Sequence, residues 1–179
     1  SLPIVSVNMP VADWFSANTG IISNSWNNDA PGWTRAVSAE MFWPDGRSIF
    51  NVNCGIRVVG GQSTNASWKS QKHSLRLKLQ APYGATRLKT DEPILPGSHL
   101  TSFNTLTLDA RFNYTWHHWD ETQRTRGQHL RDMLMNDLQI VLDDVSPHGR
   151  YTHLFLNGLY WGMYWVHERP DESFLVDYL

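Results

Sequence analysis

Polar and apolar positions alternate without a break over His73–Leu79. His73, Leu75, Leu77 and Leu79 fall on one face and Ser74, Arg76 and Lys78 on the other, the period of a half-buried strand. Ala36–Trp43 and Arg47–Val59 flank Pro44-Asp45-Gly46, where proline presets φ and glycine accepts a positive φ, so a hairpin is expected. Leu2–Val7 and Thr105–Ala110 read as further strands. Tyr151–Leu156, Asn157-Gly158 and Leu159–His167 predict a second hairpin with a type I′ turn. Residues 80–104 hold three prolines and two glycines and read as a long irregular loop. Helical spacing is clearest over Leu130–Leu142, where Leu130, Met133, Leu134, Leu138, Val141 and Leu142 make one stripe. Its start is open between caps at Asp120 and Thr125, and Gly127 weakens the longer version. Pro147 and Gly149 bound its end. These elements predict an α+β fold: a mainly antiparallel sheet, one major helix and a closing hairpin.

At 179 residues the natural expectation is one domain spanning 1–179, burying roughly 70% of its unfolded surface. Hydrophobic residues at 41% and charged residues at 18% suit a folded chain. Fifteen basic against seventeen acidic side chains argue against nucleic acid as a partner. No apolar run approaches the ~18 residues of a membrane span. The single cysteine, Cys54, excludes an internal disulfide framework and a four-cysteine zinc site, and its place in a strand suits a buried thiol. The chain opens directly in a strand-like run and ends without a tail, as expected of an excerpt from a longer protein. Asn65-Ala66-Ser67 and Asn113-Tyr114-Thr115 fit the glycosylation pattern.

Four segments carry possible chemistry. Arg57, Gly60, Gly61 and Ser63 lead toward Lys72 and the Arg76/Lys78 face. Glycines admit a phosphate close to the backbone and lysines neutralise it, but a Gly-Gly turn between strands is commonly structural. Trp116-His117-His118-Trp119-Asp120-Glu121 contains metal-ligand types, yet adjacent histidines do not readily face one ion. No G-x-S-x-G elbow is present. Glu168 and Asp171 flank Pro170, reading either as a strand-end ion cluster with Arg169 or as the wall of a site.

Several of these segments, in this order, resemble the CotH (spore coat protein H) kinase family. They are Ile4–Val7, Asn53-Cys54-Gly55-Ile56-Arg57-Val58-Val59-Gly60-Gly61-Gln62-Ser63, Lys72–Lys78, Leu130-Arg131-Asp132 and His148-Gly149-Arg150. The most specific is Leu156-Asn157-Gly158-Leu159-Tyr160-Trp161-Gly162-Met163-Tyr164 followed by Glu168-Arg169-Pro170-Asp171. The form resembles the large secreted bacterial members. The resemblance implies the small-lobe half of an atypical protein-kinase-like fold, ATP with Mg2+ as cofactors, and phosphate transfer to Ser or Thr of a surface or coat protein. It implies an extracellular or cell-surface location on a bacterium. Arg57, Gly60, Gly61, Ser63, Lys72 and Lys78 would face the nucleotide phosphates, with Lys72 and Arg57 foremost and Lys78 next, and Glu168 would approach the adenine side. The family's catalytic and metal-binding aspartates lie downstream of the Glu-x-x-Asp stretch, so this chain carries none of its own and is expected to be inactive alone.

Nine tryptophans raise a rival reading, a secreted carbohydrate-binding or adhesion module. Trp161 and Trp165 share a strand face, Trp116 and Trp119 anchor the loop before the helix, and Trp43 ends a hairpin strand. Trp14, Trp26, Trp33 and Trp68 remain as possible stacking platforms. Exposure separates the two readings.

Overall fold

The strands read from alternation close into a barrel. The computed structural model describes residues 1–27, 30–65 and 72–179. Along the chain run β1 (Ile4–Asn8), α1 (Val11–Phe15), β2 (Arg35–Phe42), β3 (Ser48–Val59), β4 (Ser74–Lys78), β5 (Leu88–Lys89), β6 (Ser102–Phe103) and β7 (Thr105–Asp109). Then come α2 (Glu121–Arg126), α3 (Arg131–Val141), β8 (Gly149–Leu156), β9 (Leu159–His167) and α4 (Glu172–Tyr178). Seven strands form a closed barrel in the order β1-β2-β3-β4-β7-β9-β8. Every neighbouring pair is antiparallel except β1 with β8.

Every second residue points inward and fills the barrel, as a small barrel requires. Val5 and Val7, Val37, Ala39 and Met41, Cys54, Ile56 and Val58, Leu75 and Leu77, Leu106 and Leu108, Leu154 and Leu156, and Tyr164 and Val166 are all buried. The expected hairpins form, and Asn157 (φ 49°) with Gly158 (φ 80°) makes the second turn. Residues 80–104 contribute only the two-residue strands β5 and β6, with Leu88, Ile94, Leu95 and Phe103 in the core.

The expected α+β architecture with one major helix, resembling a kinase small lobe, is overturned by this barrel. Strand alternation shows which face is buried but not that β1, inserted between β2 and β8, joins the sheet edges. The helix is where its periodicity put it, but it does not supply a second layer. Among its stripe, Leu134 is 64% and Val141 80% exposed, and no residue of α3 is fully buried. Asp120 does cap a helix, its carboxylate accepting from the Gln123 amide at 2.9 Å, but that helix is the separate α2, which ends at Gly127.

Candidate functional site

Strand register puts the cations of the sequence on the outer wall. Cys54, Ile56 and Val58 point inward, so Arg57 points out, and Arg76 stands directly opposite it on β4. Lys78 lies on the same outer face, opposite Gly55. Arg169 follows the end of β9. Burial lowers the Lys78 pKa, and Arg57, Arg76 and Arg169 lower it further by like-charge repulsion. Four cations thus crowd one stretch of wall, an arrangement that favours a multiply charged anion. Arg169 also pairs with Asp171 at 3.5 Å, while the Asp171 carboxylate caps α4 through the Phe174 amide at 3.2 Å.

Lys72 belongs elsewhere. Its Nζ donates to the Met163 carbonyl at 3.0 Å and sits 5.1 Å from the Tyr164 ring centroid. Gly162, at φ 122°, leaves room for its stem, which a Cβ there would approach to 3.4 Å. Burial lowers its pKa to about 8, against an opposing pull from Asp109. Asp109, at the end of β7, accepts from the Ser74 hydroxyl at 3.0 Å and the Arg111 amide at 2.7 Å. Arg111, only 2% exposed, bridges Asp109 at 3.2 Å and Asp132 of α3 at 2.9 Å, with its guanidinium 4.6 Å over Trp165. His129 is buried nearby; its carbonyl accepts from Tyr151 and from Arg111 Nε. Burial first, then Lys72, Arg111 and His117, hold the His129 pKa below the usual imidazole value.

The remaining expected site residues are placed as follows. Gly60 (φ 132°) turns the chain out of β3, and a Cβ there would lie 2.4 Å from the Ser63 hydroxyl oxygen. Gly61 accepts the Thr64 amide at 3.2 Å, and the Ser63 carbonyl lies 3.2 Å from His73 Nδ1. Val59 pairs with Ser74, so this turn adjoins the start of β4 and Lys78 stands at that strand's far end. Glu168 is 3% exposed and faces protein donors: the His148 amide at 2.9 Å, the Tyr178 hydroxyl at 2.6 Å and the Ser98 hydroxyl at 3.3 Å. That carboxylate ties α4 to the barrel. From sequence, Arg76 entered only as the strand neighbour of Lys78 and Arg169 only within the Glu168–Asp171 cluster, and the Asp109–Arg111–Asp132 bridge was not anticipated. The alternation of β4 already placed Arg76 beside Lys78, but the bridge joins residues 23 apart and had no local signal.

Among the described residues, no group of three or more His, Cys, Asp or Glu is arranged to hold a metal ion, and no helix is long and apolar enough to cross a membrane. Trp14 and Trp165 are buried, and Trp33 and Trp161 pack against the core. Trp26, Trp116 and Trp119 are exposed, yet Trp116 anchors its loop as expected, its indole N–H donating to the Gly127 carbonyl at 3.1 Å and its ring meeting His129 edge-on at 4.7 Å, while Trp119 stacks on His118. Trp68, together with Ala66 and Ser67 of the first glycosylation pattern, lies outside the described residues.

No curated protein matches the chain. The family described as CotH kinase protein matches over residues 56–178, from the inward Ile56 beside the cationic wall to the last turn of α4. That span covers well over half of the sequence and takes in Arg57, Lys72, Lys78, Asp109 and Glu168, and on it the chain belongs to the CotH kinase family.

Proposed function

We propose that this chain forms the nucleotide-facing part of a protein kinase, in which Arg57, Arg76, Lys78 and Arg169 take the phosphates of ATP. The observation that carries this reading is the crowding of those cations on one face, with their mutual repulsion felt at Lys78. A triphosphate relieves that repulsion. Phosphoryl transfer is mostly positioning and charge neutralisation, so such a wall is the part of the chemistry a barrel can supply. The γ-phosphoryl group would leave the β-phosphate oxygen and join a Ser or Thr hydroxyl of a protein partner, the hydroxyl proton passing to a base. No described residue is assigned as that base, and Mg2+ is assigned no ligand here. The resemblance places both on aspartates downstream of the Glu-x-x-Asp stretch. The resemblance to large secreted members supports a site of action at or beyond a bacterial cell surface.

ATP titration of Lys78→Met, Arg57→Met and Lys72→Met tests the assignment. One charge-assisted contact is worth about 1.5–3 kcal/mol, or roughly 10–100-fold in affinity. Losses of that size at Lys78 and Arg57, with a smaller one at Lys72, are expected. Unchanged ATP affinity in Lys78→Met would sink the reading, and a larger loss at Lys72 would move the phosphates to the Asp109 end of the barrel.

A further inference from the structure

At the mouth where β2 ends and β3 begins, a cavity of about 310 Å³ opens between Trp43, Ser48, Thr90, Ile94 and Arg150. That is about ten times the ~30 Å³ occupied by one water in the liquid, room for a small organic molecule. Ser48 opens β3 and the Gly60 turn closes it, so about 36 Å of strand separates this cavity from the Gly-Gly turn.

Arg150 decides what the cavity fits. On β8 it shares the inward face with Thr152 and Leu154, opposite Val166. Its Nη1 donates to the Ile94 carbonyl at 2.9 Å and its guanidinium lies 4.8 Å from the Trp43 ring centroid. Among the described residues its buried Nε finds no acceptor, and no carboxylate pairs with it. A half-buried guanidinium without a carboxylate in direct contact gains from a ligand that supplies one. Arg47 also lines the cavity but is already paired with Asp45 at 2.9 Å. Asp91 and Glu92 stand exposed in the lining. They disfavour a doubly charged phosphate and accept hydroxyl groups. Indole, hydroxyl-accepting carboxylates and a planar cation together suit a hydroxylated ring bearing one carboxylate.

We propose that this barrel mouth binds a sugar acid of monosaccharide size, its carboxylate on Arg150 and its ring beside Trp43. The site is independent of the nucleotide reading and survives its failure. Titration of the isotopically labelled chain with glucuronate, glucose, acetate and inorganic phosphate, followed by NMR, tests it. Saturable shifts of the Trp43 indole N–H and Arg150 side-chain signals are expected with glucuronate. Glucose, acetate and phosphate should each bind at least 10-fold more weakly. Arg150→Lys and Trp43→Phe should weaken glucuronate at least 10-fold. Should either fail to fold, Glu92→Gln on the exposed rim reads the same site and should narrow the preference for glucuronate over acetate. Absence of saturable shifts at tens of millimolar overturns the proposal. So does equal binding of phosphate, or full glucuronate binding in folded Arg150→Lys.

Discussion

The Trp14 indole N–H donates to the side-chain oxygen of Asn157 at 3.2 Å, tying a helix at the start of the chain to a turn near its end. The same oxygen accepts the Met9 amide at 3.0 Å, and the Asn157 amide group donates to the Met9 carbonyl at 2.7 Å. Asn157 therefore serves twice: its positive φ makes the β8–β9 turn, and its side chain fastens the segment that closes the barrel.

Asn157→Gly keeps the turn and removes the three hydrogen bonds, leaving the buried Trp14 N–H unmatched. A loss of about 2–4 kcal/mol in unfolding free energy is expected. Denaturant unfolding measures it, and a loss under about 0.5 kcal/mol would show that the clasp is incidental.

Arg111 is held by two carboxylates of unequal exposure. Asp109→Asn leaves the buried guanidinium poorly compensated and also weakens the bonds to Ser74 and the Arg111 amide, so a cost of about 3 kcal/mol or more is expected. Asp132 is nearly half exposed, and Asp132→Asn should cost about 1 kcal/mol or less. Chemical denaturation of both variants gives the ranking; the reverse order would put the support of Arg111 on α3.

His167 gives the fold an acid limit. Burial, the largest effect, lowers its pKa to about 4, with Asp109 opposing, while the ring stacks 4.3 Å from Trp165. The unfolded chain therefore takes up the proton first. Stability is complete above about pH 6.5 and is lost as pH falls toward 4, by about 3 kcal/mol. Burial also lowers the His73 pKa, which acts in the same direction. Urea midpoints between pH 4 and 7.5 should fall with acid, and His167→Gln should flatten much of the slope. An unaltered slope in that variant would assign the acid limit to other groups.

The apolar stripe of α3 should be replaceable at little cost, because it is not buried. Leu134→Gln and Val141→Lys are expected to change stability by less than about 0.5 kcal/mol in thermal unfolding. Losses of about 2 kcal/mol would mean that the stripe packs in solution.

Cys54 is fully buried inside the barrel, and burial raises its pKa to about 12. Thiol reagents should therefore modify the native chain only as fast as it opens. Modification at the rate of an exposed thiol would place a route to solvent beside β3.

Much of this was legible locally. Alternation in His73–Leu79 fixed which side of β4 faces in, so Arg76 and Lys78 could be put on one outer face from sequence alone. Asn157-Gly158 announced its turn because both residues tolerate positive φ. The stripe of α3 announced a helix but misled about its partner, since periodicity records a face and not what covers it. Trp116 was legible as a loop anchor, but the exposure of Trp116 and Trp119 was not: an indole in a loop carries no mark of being exposed.

What the chain determines by itself is short-range: strand and helix periods, turn chemistry, and the motifs that tie residues 56–178 to the CotH kinase family. Only the tertiary structure decides that β1 lies between β2 and β8, that Lys78 rather than Lys72 stands with Arg57, that Arg111 joins Asp109 to Asp132, and that Arg150 meets Trp43. Each of those joins residues far apart in sequence. Such contacts depend on closing long loops and packing a shared interior, and no local pattern encodes that.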